Sequence, residues 1–334
     1  MHNSVVATHP ELWHYTTASG LQGILASQQL WATNIFYLND KEEYTGFFDH
    51  KLLRLLQDGV DMGIAAALKT DAGRDTIEKK MGEHFLKEKF AEILLNAIRN
   101  ATHARPAYVT SFCFTPPGQS SDDGLLSQWR GYGADGGYAI VFDTKGLNEL
   151  LEEESMSYHY ALVHWGDVDY YDQDAKDGFA HNEARQWENA IREAIAAYIQ
   201  TPSTDLALSQ EVGDAIYGPI FYLASRHKHR GFREELEVRI AVVRMDENLI
   251  EAAQAEGSKR LRKPIAFVQR GGMVVPYVAL FQRQADEAAK LPIKKIIVGP
   301  HPEKLKRKAA IEMLLAQSGI DAQVIASDIP YIGR

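Results

Sequence analysis

The sequence has very little cysteine, since Cys113 is the only one in 334 residues. A single thiol cannot form an internal disulfide bond, so the chain does not fit the class of small disulfide-stabilised proteins. This usage favours a reducing compartment, and we expect a cytoplasmic location. Cys113 lies in the apolar run YVTSFCF, where we expect it to pack as a small buried side chain on a core strand.

Long uncharged apolar segments are also missing. No run approaches the ~18 apolar residues that read as a membrane-spanning helix. The first ten residues, MHNSVVATHP, lack the basic and apolar regions of a signal peptide. We therefore expect neither membrane insertion nor secretion, and the content of 45% hydrophobic and 24% charged residues predicts a globular protein with a full core.

Several signature motifs are absent as well. The only close series of glycines, GYGADGG, follows a helix-like segment and lacks the GxGxxG spacing of a dinucleotide-binding turn. The sequence contains no GxxxxGK[ST] phosphate loop, no HExxH or CxxC metal motif and no GxSxG nucleophile elbow. These absences argue against the corresponding nucleotide, zinc and serine-hydrolase sites, and no metal site is predicted.

The net charge of -9 argues against broad, sequence-independent binding to nucleic acid, because that affinity comes from a basic field that meets phosphates. Two local basic clusters remain, RHKHRGFR at 226–233 and KRLRK at 259–263. The first cluster runs directly into a glutamate-rich segment. It is interpreted either as the solvated end of a helix or as a cationic rim that holds a phosphorylated ligand.

The organisation of the chain is that of one continuous architecture, because no internal repeat, low-complexity tract or Gly/Ser linker occurs. We predict a single α+β domain over residues 1–334, with helical insertions at about 40–101 and 175–228. Ser19 is expected to cap the first long helix, and Asn39 and Asp40 the next one. Apolar periodicity predicts the following main strands: 12–16, 30–34, 108–115, 235–244, 264–269 and 273–280.

Polar and aromatic side chains recur beside the predicted strands, where a rigid scaffold can hold them in fixed geometry. They occur in HYT near the N-terminus, in TSFC, in SQWRGYG and in EELEVR. The candidate site residues are His14, Tyr15, Ser111, Trp129, Arg130, Glu235 and Glu237.

Glu235 and Glu237 are two positions apart, so on one strand they would point to the same face. Two like charges there would raise the pKa of one carboxyl unless a cation intervenes, and Arg239 continues that face. Glu237 is favoured as the reactive carboxylate because it lies deeper in the apolar-flanked strand, with Glu235 as its partner. The alternative is a Glu–Arg ladder on a solvated sheet.

Structural roles are the alternative for the other candidates. In HYT, Tyr15 would pack while His14 satisfies a backbone carbonyl group. Trp129 would act as a packing anchor, whereas the adjacent Arg130 has the planar fork that suits a pyrophosphate.

The order of these motifs resembles a bacterial family, the domain-of-unknown-function family 2971. The resemblance runs from about residue 12 to residue 331 and rests on HYT, LWAT, YLND, TSFC, LLSQWRGYG, GYAIVFD, FREELEVRI, IKKIIVGP and SDIPY. That family is in turn similar to the ADP-ribosyltransferase fold, in which a split pair of small antiparallel sheets holds NAD. The resemblance implies an α+β, ADP-ribosyltransferase-like fold with helical insertions.

The same resemblance implies a nucleotide-handling enzyme that transfers ADP-ribose from NAD, its substrate, to a protein or nucleic-acid acceptor, as a bacterial toxin or phage-defence effector. His14, with Tyr15 and Thr16 near it, would bind NAD and is also counted among the catalytic residues, and Ser111 would shape the nicotinamide pocket. Trp129, Arg130 and Arg239 would complete the NAD site. Glu237 or Glu235 would stabilise positive charge on the reacting ribose.

This chain departs from the STS triplet of the familiar transferases, since it has VTSFC instead. Two other functions therefore stay open. One is a non-catalytic module that binds a nucleotide or a partner protein on the same fold. The other is a phosphate-clamping nuclease or phosphotransferase.

Overall fold

The computed structural model describes residues 4–38, 41–81, 87–115, 122–132, 137–171, 182–201, 210–282 and 290–330. The strands within these ranges are β1 (Glu11–Thr16), β2 (Leu30–Asn34), β3 (Ala107–Cys113), β4 (Tyr138–Asp143), β5 (Tyr158–Asp167), β6 (Asp169–Tyr171), β7 (His227–His229), β8 (Glu237–Arg244), β9 (Leu261–Arg262), β10 (Ala266–Arg270), β11 (Met273–Leu280), β12 (Ile293–Val298) and β13 (Gln323–Ala326).

The α-helices within the same ranges are α1 (Ser4–Thr8), α2 (Ala18–Ser27), α3 (Lys41–Gly46), α4 (Leu53–Ala67), α5 (Asp71–Met81), α6 (Lys87–Ala104), α7 (Leu126–Tyr132), α8 (Thr144–Ser157), α9 (Asn182–Gln200), α10 (Gln210–Arg226), α11 (Glu247–Ala255) and α12 (Lys304–Ser318). Residues Ile35–Tyr37 and Arg230–Glu235 form 3₁₀ turns, and Phe47–Leu52 is π-helical. None of the described helices combines the length and apolarity needed to cross a bilayer.

The chain divides into two compact units. The sheet unit contains Met1–Asn34, Tyr108–Val168 and Gly231–Arg334, and the helical unit contains Ile35–Ala107 and Asp169–Arg230. Both predicted helical insertions, at about 40–101 and 175–228, fall within the ranges of the helical unit. The mixture of helices and a largely antiparallel sheet makes the chain an α+β protein, as predicted.

Eleven of the described strands form one hydrogen-bonded, branched sheet in the sheet unit. Its order is β10-β11-β2-β3-β1-β4-β12-β13, and a branch leaves β3 through β8 to β5 and β9. Most of its pairs are antiparallel, while β12 with β13 and β5 with β9 are parallel. The family resemblance implies a split pair of small antiparallel sheets. The described strands instead form one sheet, because backbone pairing is continuous through β3.

The two faces of this sheet are buried by different side chains, because successive residues of a strand point to opposite faces. We call one side the Phe112 face and the other the Cys113 face. The buried cluster on the Phe112 face includes Leu12, Phe112, Ile140, Phe142, Val238 and Ile240. The smaller cluster on the Cys113 face consists of Trp13, Tyr15, Cys113, Trp129, Ala139, Val141 and Ile297. Cys113 is thus a buried core residue, as predicted.

Side chains at the ends of strands start the neighbouring helices. Thr17, not the predicted Ser19, caps α2, because its hydroxyl accepts a hydrogen bond from the Gly20 N–H at 3.2 Å. Asp143 caps α8 in the same way, accepting from the Gly146 N–H at 2.8 Å. The predicted caps Asn39 and Asp40 lie outside the described residues.

The helical unit has a core of its own, and two glycines allow its best-packed helix pair to approach. A Cβ atom at Gly59 of α4 would lie 2.8 Å from Ile195 Cβ and 2.9 Å from the Arg192 carbonyl oxygen of α9. At Gly63, one turn later, a Cβ atom would lie 2.6 Å from Ile199 Cβ. Larger residues at these positions would force α4 and α9 apart.

Candidate functional site

The glutamate-rich segment does not form a single strand. Glu235 ends the 3₁₀ turn, Leu236 has a positive φ of 47°, and β8 begins only at Glu237. A positive φ is uncommon for leucine and reverses the local direction of the backbone. The predicted strand start at 235 is therefore wrong, and strand alternation places only Glu237 and Arg239 on a common face.

Glu237 and Arg239 form a buried, two-point ion pair. Arg239 Nε donates to Glu237 Oε1 at 2.6 Å, and a second guanidinium nitrogen donates to Oε2 at 3.0 Å. The two side chains are only 4% and 2% exposed. Parallel hydrogen bonds of this kind fix the plane of a carboxylate. A cation thus does accompany the carboxylate, but the pair is buried and differs from a ladder on a solvated sheet.

Ser111 lies beside this pair on the Cys113 face. Strand β8 pairs with β3, and the Phe114 N–H donates to the Leu236 carbonyl group at 3.0 Å. Ser111 precedes Phe114 by three residues, and Arg239 follows Leu236 by three. Both alternate with side chains of the Phe112 face, so both point to the opposite side. Ser111 is the one half-buried residue of β3, whose other residues are buried.

A glycine flanks Arg239 on its other side. Gly166 of β5 is the register partner of Arg239. A glycine inside a strand removes a side chain from the sheet surface, and such positions often allow a ligand or another backbone to approach closely. We call the group Ser111, Gly166, Glu237 and Arg239 the Arg239 site.

His14 does not join the Arg239 site. It pairs with Ile140 across β4, and its ring lies 5.9 Å from that of Phe112, which places it on the Phe112 face. Its Nδ1 atom lies 2.9 Å from the Ser111 carbonyl oxygen. That oxygen can only accept, so Nδ1 carries the proton. Burial lowers the pKa of His14, an effect that the hydrogen bond to Ser111 opposes only in part.

The structure therefore shows His14 in the structural role considered for the HYT motif, in which its side chain satisfies a backbone carbonyl group. Thr16 follows His14 on the same face and ends β1 beside α2, where a Cβ atom at Gly20 would lie 2.1 Å from its Oγ1 atom.

Tyr15 and Trp129 anchor α7 on the Cys113 face. Their rings meet edge to face with centroids 4.8 Å apart. The Tyr15 hydroxyl accepts from the Leu125 N–H at 2.8 Å, and burial raises the pKa of Tyr15. Trp129 Nε1 donates to the Asp123 carbonyl group at 2.9 Å. Gly124 is required here, because its φ is +78° and a Cβ atom would lie 2.7 Å from the Trp129 ring.

Arg130 follows this anchor and is exposed in the last turn of α7. The neighbouring Trp129 anchors helix α7, so the backbone of Arg130 is held in a fixed position. Of the two candidates in the QWRG motif, Trp129 is therefore a buried packing residue and Arg130 is a cation on the surface.

The first three residues of the first basic cluster, 226–228, are buried within the helical unit, whereas residues 230–233 are exposed. Residues His227–His229 form β7, which pairs with β6, so α10 ends at Arg226. Arg226 and Lys228 are only 4% and 6% exposed. Arg226 Nε lies 3.5 Å from Asp169 Oδ2, and its guanidinium carbon lies 4.7 Å from the centre of the Tyr222 ring. The interpretation as a solvated helix end is therefore wrong for these residues.

A second buried ion pair in the sheet unit was not predicted. Lys263 is fully buried, and its Nζ lies 2.5 Å from Glu154 Oε1 and 3.8 Å from the centre of the Tyr158 ring. Tyr160 donates to Glu154 Oε1 at 2.6 Å, and the Phe281 N–H donates to Oε2 at 3.1 Å. Burial lowers the pKa of Lys263, against the opposing effect of Glu154.

One sequence signal for this pair exists in α8. Leu147, Leu151 and Glu154 follow the spacing of a buried helix face, and all three are buried. No comparable signal marks Lys263, which lies within an otherwise exposed basic segment.

Comparison with known families supports part of the expected resemblance. Residues 128–240, about a third of the chain, match the model of a family described as a protein of unknown function (DUF2971). The matched range includes Trp129, Arg130, Glu235, Glu237 and Arg239, and it ends inside β8. No curated protein and no solved structure matches this chain.

Proposed function

We propose that the sheet unit binds NAD at the Arg239 site and transfers ADP-ribose from it. The observation that carries the proposal is the geometry of Glu237. Its carboxylate is held by two hydrogen bonds from Arg239, on the sheet face that also carries the half-buried Ser111 and the buried Gly166. A preorganised carboxylate beside a partly open strand position suits a reaction that develops positive charge.

The proposed chemistry needs only a few groups. The bond between ribose C1′ and the nicotinamide nitrogen breaks, and its electron pair leaves with nicotinamide. Positive charge develops on the ribose, where Glu237 would stabilise it. The acceptor nucleophile then bonds to C1′ and loses a proton. His14 has no direct contact in this scheme because it occupies the Phe112 face.

Arg239 has a positioning role in the proposal. Without it, Glu237 would lose a two-point ion pair in a buried position, and burial favours the neutral form of a carboxyl group. A neutral acid gives little stabilisation to a cationic transition state. Arg239 would therefore keep Glu237 both ionised and correctly oriented.

The direct test is release of nicotinamide from labelled NAD, with transfer of label to components of a cell lysate. Glu237→Gln should abolish both signals, while Glu235→Gln, the same change on the 3₁₀ turn, should leave them in place. Equal nicotinamide release by Glu237→Gln and the wild type would refute the assignment of Glu237.

The second candidate is a non-catalytic nucleotide-binding module on the same scaffold. The specific observation in its favour is that His14 lies on the face opposite to Ser111 and Glu237, so the three candidates do not face one another. Calorimetry separates the two functions. Binding of NAD without any nicotinamide release supports the module, whereas binding with release supports the transferase.

A further inference from the structure

We infer that the stacked rings of Trp31 and Tyr277 hold the adenine base of NAD while its nicotinamide ribose lies at Glu237. The inference rests on the proposed function, because it names the surface that binds the far end of the same substrate. Both aromatic residues belong to the sheet unit. Neither is a member of the Arg239 site, so the two rings would extend that site across the sheet.

Trp31 is the one exposed residue of strand β2. It is 43% exposed, whereas Leu30, Ala32 and the two residues that follow are buried. An exposed tryptophan keeps a large apolar surface in water, and removing such a surface from water on binding is favourable. The position therefore suits a ligand that has a flat apolar face.

Tyr277 supports the indole ring of Trp31 from the neighbouring strand. The two ring centroids lie 4.4 Å apart, and the ring planes are inclined by 28°. Trp31 is the register partner of Ala279, and Thr33 is that of Tyr277. Trp31 and Tyr277 are therefore diagonal neighbours on one face, a separation that aromatic side chains can bridge. The stack holds the indole ring in a fixed position before any ligand arrives.

The two rings lie on the Cys113 face, which also carries the Arg239 site. Register partners point to the same face of a sheet, and so do residues two apart on one strand. Thr33 of β2 is the register partner of Val109 of β3. Trp31 therefore shares a face with Ser111. In agreement, Leu30, which precedes Trp31, belongs to the buried cluster on the opposite, Phe112 face.

The rings are also level with the Arg239 site along the strands. Strands β2 and β3 are antiparallel, and Thr33 pairs with Val109. Two residues from this pair in the same direction lie Trp31 on β2 and Ser111 on β3. The Cα atoms of β2 and of β8, the strand that carries the buried ion pair, also approach within 8 Å. One ligand can therefore contact the aromatic rings and the Arg239 site together.

The position of Glu237 decides which base lies on the rings. The Phe114 N–H donates to the Leu236 carbonyl group where β3 ends, so β8 begins there at Glu237 and runs back along β3. Glu237 thus lies two residues, or about 7 Å, beyond the level of Trp31. The bond to nicotinamide must lie against this carboxylate. A base on Trp31 is then the other base of NAD, adenine, whose two fused rings match the indole ring in size.

The test measures binding of ADP-ribose, which contains the adenine of NAD but no nicotinamide. Wild-type protein should bind it in calorimetry. Trp31→Ala should weaken binding about 5- to 150-fold, the range for losing one base–aromatic stack, whereas Trp31→Phe should retain most of the affinity. The loss should be the same at low and high salt, because a stack is not screened as a phosphate contact is.

The matched control is Phe267→Ala. Phe267 is 66% exposed on strand β10, but it is the register partner of Pro276 and therefore points to the face opposite to that of Tyr277. Its removal should leave the affinity for ADP-ribose unchanged, so the comparison separates an aromatic ring on the correct face from one on the wrong face.

A fluorescence measurement covers the case in which Trp31→Ala fails to fold. ADP-ribose should quench part of the tryptophan fluorescence of the wild type, because a base stacks on an indole ring. Trp31→Phe should still bind ADP-ribose but should lose most of that quenching. Full quenching in Trp31→Phe would place the base elsewhere.

The inference is overturned if the wild type does not bind ADP-ribose, if Trp31→Ala binds it as tightly as the wild type, or if Phe267→Ala loses as much affinity as Trp31→Ala. It is also overturned if Trp31→Ala weakens binding of free nicotinamide, since the rings would then hold the other base. Trp31-dependent binding of ADP-ribose without nicotinamide release from NAD would refute the transferase alone. Nicotinamide release with binding that does not depend on Trp31 would refute this inference alone.

Discussion

Two buried carboxylate–cation pairs among the described residues of the sheet unit have different surroundings. Glu154 and Lys263 are far apart in sequence, and Tyr160, the Phe281 N–H and the Tyr158 ring enclose them. Glu237 and Arg239 lie two positions apart on one strand, beside the half-buried Ser111 and the buried Gly166. The same two charges thus serve as an enclosed structural network in one place and as a candidate site in the other.

The energetic consequences should differ accordingly. Removing one partner of an enclosed pair leaves a buried charge that neither water nor another group compensates. Removal of Glu237 or Arg239 also leaves a buried charge, but this charge lies beside the half-buried Ser111. We therefore expect mutations at the first pair to act on stability alone and mutations at the second pair to act on function as well.

The largest expected effect is on stability, at Lys263. Lys263→Met should lower the free energy of unfolding by about 3–5 kcal/mol, because it leaves Glu154 buried without its cation. Chemical denaturation measures the loss. The double variant Lys263→Met/Glu154→Gln should recover to within about 1 kcal/mol of the wild type, since the Gln oxygen can accept from the Phe281 N–H while its NH2 group donates to the Tyr160 hydroxyl oxygen, without a charge. A single variant as stable as the wild type would show that the pair is not an enclosed network.

The second effect is on turnover, at Glu237. Glu237→Gln should reduce nicotinamide release on the order of 10²-fold or more, as for the loss of other preorganised electrostatic stabilisation. Rates must be normalised to folded protein, because the change also removes the charge beside Arg239. Glu154→Gln is the matched control at the other pair, and it should lower stability while leaving turnover per folded molecule unchanged. If both variants lose turnover equally, the functional distinction between the pairs is wrong.

The third effect is on affinity, at a cation outside both pairs. Arg130 is exposed on α7. Arg130→Ala should weaken binding of a pyrophosphate-containing ligand about 10-fold, as for loss of a charge-assisted hydrogen bond, and should make binding less sensitive to salt. Arg130→Lys should have a smaller effect because it keeps the charge but loses the planar fork. Calorimetry that shows identical affinities for the three proteins would remove Arg130 from the ligand site.

Local sequence patterns predicted much of the sheet unit. The predicted strands at 12–16 and 30–34 agree with β1 and β2 to within one residue, because the period of their apolar residues is a local signal. The strand 273–280 was predicted for the same reason and agrees with β11. Residues that depend only on their near neighbours in the chain are the ones that a pattern can place.

The failures share a physical cause, which is dependence on distant partners. Residues His227–His229 leave the helical pattern because β7 pairs with β6. Lys263 is buried because Glu154, on a different element, neutralises it. The relative faces of His14 and Ser111 follow from the pairing of Trp13 with Cys113, and alternation within one strand carries no information about that register. Placing the site therefore required strand pairing as well as strand patterns.

The smallest expected effect is on the pH dependence of stability. It concerns His14, which, unlike the charged pairs, is a buried group that is neutral at pH 7. Burial lowers the pKa of His14 below its ordinary value of 6.5. Between the lowered pKa and 6.5 the unfolded chain binds more protons than the folded one, so stability rises with pH in that window and falls on acidification. The variant His14→Asn keeps a donor near the Nδ1 position for the Ser111 carbonyl group but does not titrate. Its free energy of unfolding, measured by denaturation from pH 7 downward, should therefore change less than that of the wild type, and parallel curves for the two proteins would contradict the assignment of His14 as a buried neutral imidazole.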